Sequence, residues 1–170
     1  MQDWFKTQPR DERLAIFPIP TFYGWEYYQW GFEGAGFIWF GIPQSVLVRD
    51  FDRWSSYNEN YYWEASYALY SKNKQLFEKV LDKYQVNWLV VDENLLNPPS
   101  PKALYLDELK NMLSTSEKYT LVSEFGKVKI YKVGLQIPVN DYIFLANNLS
   151  SIGPETKWDN NDRGYTDNGN

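Results

Sequence analysis

The sequence predicts an α/β fold: a small mixed β-sheet with flanking helices and a long aromatic-rich excursion after the first strand. Three observations lead there. Val86 to Val91 is a short, apolar, β-rich run, fed directly by an amphipathic helical pattern. Such a run reads as a strand buried on both faces of a sheet. Arg13-Leu-Ala-Ile-Phe17 is a second short apolar run, stopped by Pro18 and Pro20, which cannot donate to a ladder. Finally, Tyr119-Thr-Leu-Val122 and Val128-Lys-Ile-Tyr-Lys-Val133 are joined through Glu124-Phe-Gly-Lys127, the pattern of a β-hairpin with glycine in its turn.

Composition narrows the function classes. A chain of 170 residues makes one domain and can bury about 70% of its unfolded surface. The net charge of −5 argues against nucleic acid, which needs a basic face, and against docking on anionic lipid through a polybasic patch. There is no Cys and no His. Thiol nucleophiles, Ser-His-Asp chemistry, His general bases and the usual zinc sites are therefore excluded. No stretch reaches the ~20 apolar residues of a spanning helix, and Met1-Gln2-Asp3-Trp4 lacks the basic start and apolar run of a signal peptide. No cofactor motif is present either. Gly34-Ala35-Gly36 lacks the third glycine of a dinucleotide fingerprint, Trp39 standing in its place, and has no strand–helix context.

In chain order, residues 1–12 are expected to be a polar, poorly ordered lead-in, and residues 13–133 the α/β domain. The first strand covers Arg13 to Phe17 and is placed beside the 86–91 strand. Residues 18–58 then form the excursion. Of the 32 aromatic residues, 19 lie between Phe17 and Tyr70, and glycines are interleaved among them. That composition breaks helix and permits tight turns, with short strands expected near 37–40 and 45–48. A loop this long inside a compact domain is unusual unless it is functional.

From Glu59 to Tyr70 the pattern is helical, with Tyr62, Ala65 and Leu69 on one stripe and Trp63, Tyr67 and Tyr70 on the next. A second helix follows to Tyr84, with Ser71 or Asn73 as its cap and Leu76, Phe77, Val80, Leu81 and Tyr84 on one face. After the central strand, Ser100-Pro101 supplies a cap and a first-turn proline for a helix from Lys102 to Ser114. Residues 134–170 are expected to be an irregular extension, with one helical pattern over 140–149 and an Asn/Asp/Gly-rich end. This extension is expected to continue in a longer parent protein.

Several groups could carry chemistry. Trp25, Tyr28, Trp30, Trp39, Trp54 and Tyr62 are the aromatic candidates for a ligand or interface surface. Indole and phenol faces suit the C–H faces of sugars, while nearby carboxylates accept hydroxyl protons; the same rings equally suit a core or a protein interface. Asp50 and Asp52 form a D-x-D pattern that could hold a divalent ion from a strand, against a plain surface paired with Arg49 or Arg53. Glu26, Glu33, Glu59 and Glu64 could include an acid/base pair for a glycosidic bond. Asp92 and Glu93 sit at the end of the central strand, where open α/β sheets bind ligands; loop capping is the plainer role. If the first two strands run parallel, the excursion and Asp92-Glu93 share one surface. Asn148-Leu-Ser150 fits a glycosylation acceptor.

Three stretches together carry a resemblance: Arg13-Leu-Ala-Ile-Phe-Pro18, Phe77-Glu-Lys-Val-Leu-Asp-Lys-Tyr-Gln-Val-Asn-Trp-Leu-Val-Val-Asp-Glu93 and Phe125-Gly-Lys-Val-Lys-Ile-Tyr-Lys-Val133. Over about residues 13–133 the chain resembles the exported C-terminal domain of bacterial polytopic glycosyltransferase-like membrane proteins. These belong to the GT-C class, which uses polyprenyl-phosphate sugars. The resemblance implies a non-catalytic accessory domain on the extracytoplasmic face of the cell membrane. Its partners would be the membrane-embedded body of the parent and a glycan or polyprenyl-linked acceptor. The family's catalytic acid lies in a loop that this chain does not match, so no catalytic residue is carried over. Two alternatives stand beside this reading: a free-standing carbohydrate-binding module, and a glycosidase using two of the carboxylates above.

Overall fold

The computed structural model describes residues 1–19, 25–35, 40–48, 55–97 and 101–136. At its centre is β5 (Val86–Asp92), buried along its length except at Asn87. β1 (Arg13–Phe17) runs parallel to it on one side, and β8 (Val128–Val133) antiparallel on the other. β4 (Ser45–Leu47) adds in parallel outside β1, and β7 (Tyr119–Phe125) closes the far edge, giving the order β4-β1-β5-β8-β7. The mixed α/β sheet read from the sequence is therefore the sheet of the fold. Gly126, at φ +62, makes the turn of the final hairpin, where a side chain would be strained.

One face of the sheet is covered by three helices: α2 (Ser56–Tyr70), α3 (Lys74–Lys83) and α4 (Leu106–Ser114). In α3 the apolar positions recur at helical spacing, and Leu76, Phe77, Val80 and Leu81 are all buried. Asn73 caps the helix by accepting from the Leu76 amide at 3.0 Å. Phe77 meets Phe17 of β1 edge to face at 5.6 Å. Each such side chain contributes about 1.5–3 kcal/mol on burial. The helix expected from Lys102 onward is interrupted. Pro101–Leu104 is a 3-10 turn, and Tyr105 takes a left-handed φ of +49 before α4 starts. The kink lets Tyr105 pack on the core under Tyr70.

On the opposite face, Leu14, Ile16, Trp88, Val90 and Ile130 form a second cluster. Here the structure departs from the expectation of a loose lead-in. α1 (Gln2–Phe5) places Phe5, fully buried, against Trp88, and Trp4 edge to face with both rings. The buried Gln44 side chain donates to the carbonyl of Phe5 at 2.8 Å, locking this segment to the entry of β4. Two aromatic residues in a polar stretch thus supply the lid that the sheet's second face needs.

The excursion also holds more structure than its glycines suggest. β2 (Trp25–Tyr28), β3 (Glu33–Ala35) and β6 (Leu95–Leu96) make a three-stranded antiparallel sheet in the order β3-β2-β6. The β2–β3 connection is a tight turn, with Gly31 at φ +88 and its amide bonded to the Tyr28 carbonyl at 2.9 Å. Of the strands expected in the excursion, 45–47 is β4, while 37–39 lie outside the described residues. The helical pattern over 140–149 also falls outside them.

Candidate functional site

β2 explains the site. Its residues alternate between two faces, as any strand's do, but the polarity is inverted. Glu26 and Tyr28 point inward and are 2% and 3% exposed, while Trp25 points outward and is 50% exposed. Register extends both faces across the sheet. Tyr27 lies opposite Glu33 of β3 and Leu96 of β6, so these share the outer face with Trp25. Leu95 and Gly34 share the inner one and are buried. The outer face is thus a shelf of Trp25, Tyr27 and Leu96 with the exposed Glu33 carboxylate at its side.

β1 and β5 are parallel, so the excursion and the Asp92-Glu93 turn leave from carboxyl ends. They are physically joined. The Gln29 amide donates to the Asn94 carbonyl at 3.0 Å, the Gln29 side chain to the Glu93 carbonyl at 3.2 Å, and the Glu93 amide to Lys127 of the final hairpin at 3.0 Å. The shelf therefore sits on the carboxyl edge of the main sheet, where α/β proteins place their ligand sites.

The sequence candidates fall into distinct places. Tyr28 is covered by Trp30, whose ring stacks on it at 4.4 Å with an interplanar angle of 29°. Trp30 remains 55% exposed, yet it belongs to the Tyr28 side of β2 and not to the Trp25 shelf. Tyr62 is buried on α2. Glu59 lies in the first turn of α2, where a carboxylate complements the helix dipole. Trp39, Trp54, Asp50 and Asp52 lie outside the described residues. Among the described residues no group of three or more His, Cys, Asp or Glu side chains could hold a metal.

Asp92 is 1% exposed, and one of its oxygens accepts from the backbone and side-chain nitrogens of Asn94, at 2.9 and 2.7 Å. Burial pushes its carboxyl up, against the opposing pull of those two bonds. It caps the turn between β5 and β6. Glu93 is clamped between Lys110 at 2.6 Å and Lys129 at 3.0 Å. Partial burial opposes its ionisation, but the two ammonium groups outweigh that and hold it below the usual carboxylate range.

Two of the four glutamates considered as an acid/base pair, Glu26 and Glu64, are engaged in buried contacts. Glu26 accepts from the Tyr28 hydroxyl at 2.9 Å. Glu64 lies at the α2–α3 contact, accepting from Lys83 at 2.8 Å and from the Tyr84 hydroxyl at 3.0 Å. A small crevice is lined by Ile16, Glu26, Leu47, Asn58, Tyr61 and Tyr62 among others, and its volume is about 10 Å³. That is room for one water-sized group.

Sequence reasoning named Trp25 but missed its partners in register, Tyr27 and Leu96. The period-2 signal was present in Trp25-Glu-Tyr-Tyr28, but with a glutamate on the inner face it reads as the reverse of a half-buried strand.

Comparison with known proteins adds a likeness in structure. The chain is similar in structure to the C-terminal globular domain of an oligosaccharyltransferase from Archaeoglobus fulgidus, at 16% identity and a TM-score of 0.48, over 78% of this chain and 94% of that one. No family model and no curated protein matches the sequence. Among the described residues no helix is long and apolar enough to cross a membrane.

Proposed function

We propose that this chain is a non-catalytic accessory domain of a glycosyltransferase-like membrane protein, held on the extracytoplasmic side, and that its shelf stacks on an uncharged glycan. The observation that carries the reading is Trp25, half exposed on the outer face of β2, with the half-buried Tyr27 and the exposed Leu96 beside it in register. An indole face packs on sugar C–H groups while its edge stays wet. Glu33, opposite Tyr27, is placed to accept hydroxyl protons. That carboxylate and the net charge of −5 disfavour acidic glycans and anionic lipid. The resemblance of residues 13–133 to exported accessory domains supports the setting. Leu96, 43% exposed, favours a second reading in which the shelf packs on the membrane-embedded body of a parent protein, since apolar anchors typify such contacts.

Titration with a panel of neutral, amino and acidic oligosaccharides, followed by tryptophan fluorescence and calorimetry, tests the proposal. Saturable binding of neutral sugars is expected, weakened at least about tenfold by Trp25→Ala, the loss of roughly 1.4 kcal/mol. Binding that is equal in wild type and Trp25→Ala, or absent across the panel, would sink the glycan reading. In the latter case, co-purification with the membrane-embedded segment would decide for the second.

A further inference from the structure

We propose that the crevice at the carboxyl ends of β1 and β4 is a second binding site, which receives a single hydroxyl group carried by a small polyol. It lies on the inner side of β2, away from the shelf, and does not depend on the glycan reading.

Topology locates it. The chain enters β4 along the α1 face, where Ile42 packs with the second cluster and Gln44 bonds to Phe5. It leaves β4 toward β5 along the other face, through α2 and α3. Two connections on opposite faces open a crevice at the carboxyl ends of the strands they serve, which is the switch point where α/β sheets bind ligands. The walls agree with that place: Ile16 and Ile19 follow β1, Leu47 and Val48 end β4, Asn58, Tyr61 and Tyr62 come from the start of α2, and Glu26 closes it from the small sheet.

Chemistry narrows the occupant. Tyr61 is 4% exposed and its hydroxyl makes no hydrogen bond, an expensive state for a buried polar group. Burial also raises its ionisation well above the ordinary phenol value, so the hydroxyl stays a donor. Glu26, 2% exposed, lines the crevice; its carboxylate already takes the Tyr28 hydroxyl, but such a group offers about four acceptor sites. An anion would meet that carboxylate, and an apolar group would leave Tyr61 unanswered. A hydroxyl both accepts and donates, and its carbon would rest on Ile16, Ile19, Leu47 and Val48. The volume of about 10 Å³ admits one such group and no more.

The test uses the whole chain and glycerol as the probe, read by amide chemical shifts. Saturable shifts confined to Val48, Asn58, Tyr61 and Tyr62 are expected. The trimethyl ether of glycerol, which has no hydroxyl, should give none. Tyr61→Phe should weaken glycerol binding at least tenfold while circular dichroism is unchanged; Asn58→Ala, which removes a polar wall of the crevice, should weaken it too and serves should Tyr61→Phe fail to fold. Trp25→Ala should leave these shifts intact, which separates this site from the shelf. The proposal falls if glycerol gives no saturable shift there, if the ether matches it, or if the folded variant binds as wild type does.

Discussion

Replacing Lys83 with methionine would strip the partner from a buried carboxylate, and the structure sets the size of the effect. The side chains of Glu64 and Lys83 are only 3% and 11% exposed, 2.8 Å apart. One Glu64 oxygen takes both Lys83 and Tyr84, and the other has no hydrogen bond. Burial already raises the Glu64 carboxyl, against the pull of Lys83 and Tyr84, and lowers the Lys83 ammonium, against the pull of Glu64. Without Lys83 the charge is uncompensated, a loss of about 3–5 kcal/mol in comparable pairs. The protein has an escape, which is to protonate Glu64. From its ordinary value of 4.5, holding a proton at pH 7 costs at most about 3.4 kcal/mol at 1.36 per pH unit, and at pH 5 only about 0.7. A carboxyl raised in the folded state contributes stability that is complete below its unfolded value and is lost as pH rises through the folded one. The variant should therefore lose about 3 kcal/mol at pH 7 and under about 1 at pH 5. Urea unfolding by circular dichroism at pH 5, 6 and 7 and constant ionic strength measures this, and adding Glu64→Gln should flatten the pH dependence. A loss below about 1 kcal/mol at pH 7, or the same loss at both ends, would refute the reasoning.

Two further outcomes follow from the packing. Phe5→Ala should cost about 3 kcal/mol or more, because Phe5 is fully buried between Trp4 and Trp88; urea unfolding monitored by tryptophan emission checks it, and a loss under about 1 kcal/mol would mean that α1 is dispensable. Asp92→Ala should cost about 1–3 kcal/mol by orphaning both Asn94 donors, whereas Asp92→Asn, which keeps an oxygen without burying a charge, should stay within about 1 kcal/mol of wild type in the same assay.

The main sheet and its helices were legible because their sequence patterns are of the ordinary kind. Leu76, Phe77, Val80 and Leu81 announce α3, and Val86 to Val91 announces β5, since burial there follows hydrophobicity. Trp4 and Phe5 were not legible: a four-residue helix carries too little periodicity, and only the uncovered face around Trp88 gives it a role. The site was half legible. An aromatic concentration marked the region, and the pairing of parallel strands put Asp92-Glu93 beside it. What the one-dimensional pattern could not reveal is which rings cover which. Trp30 and Tyr28 satisfy one another, and only cross-strand register leaves Trp25 outside with Tyr27 and Leu96.

That register gives the structural carboxylates a bearing on the shelf. β2 serves two surfaces at once, with Trp25 and Tyr27 on the shelf and Glu26 and Tyr28 toward the crevice side. A slip of one residue would exchange the faces, sending Glu26 into solvent and an indole toward a crevice of only about 10 Å³. The register is shared by pairing with β3 and with β6, the latter only two residues long and positioned by the turn that Asp92 caps through Asn94. Gln29 then ties the end of β2 back to that turn at two points. Asp92 and Glu93, which sit where an α/β sheet would meet a ligand, are therefore engaged in building the turn that carries β6. They hold the strand whose register decides which side chains face outward.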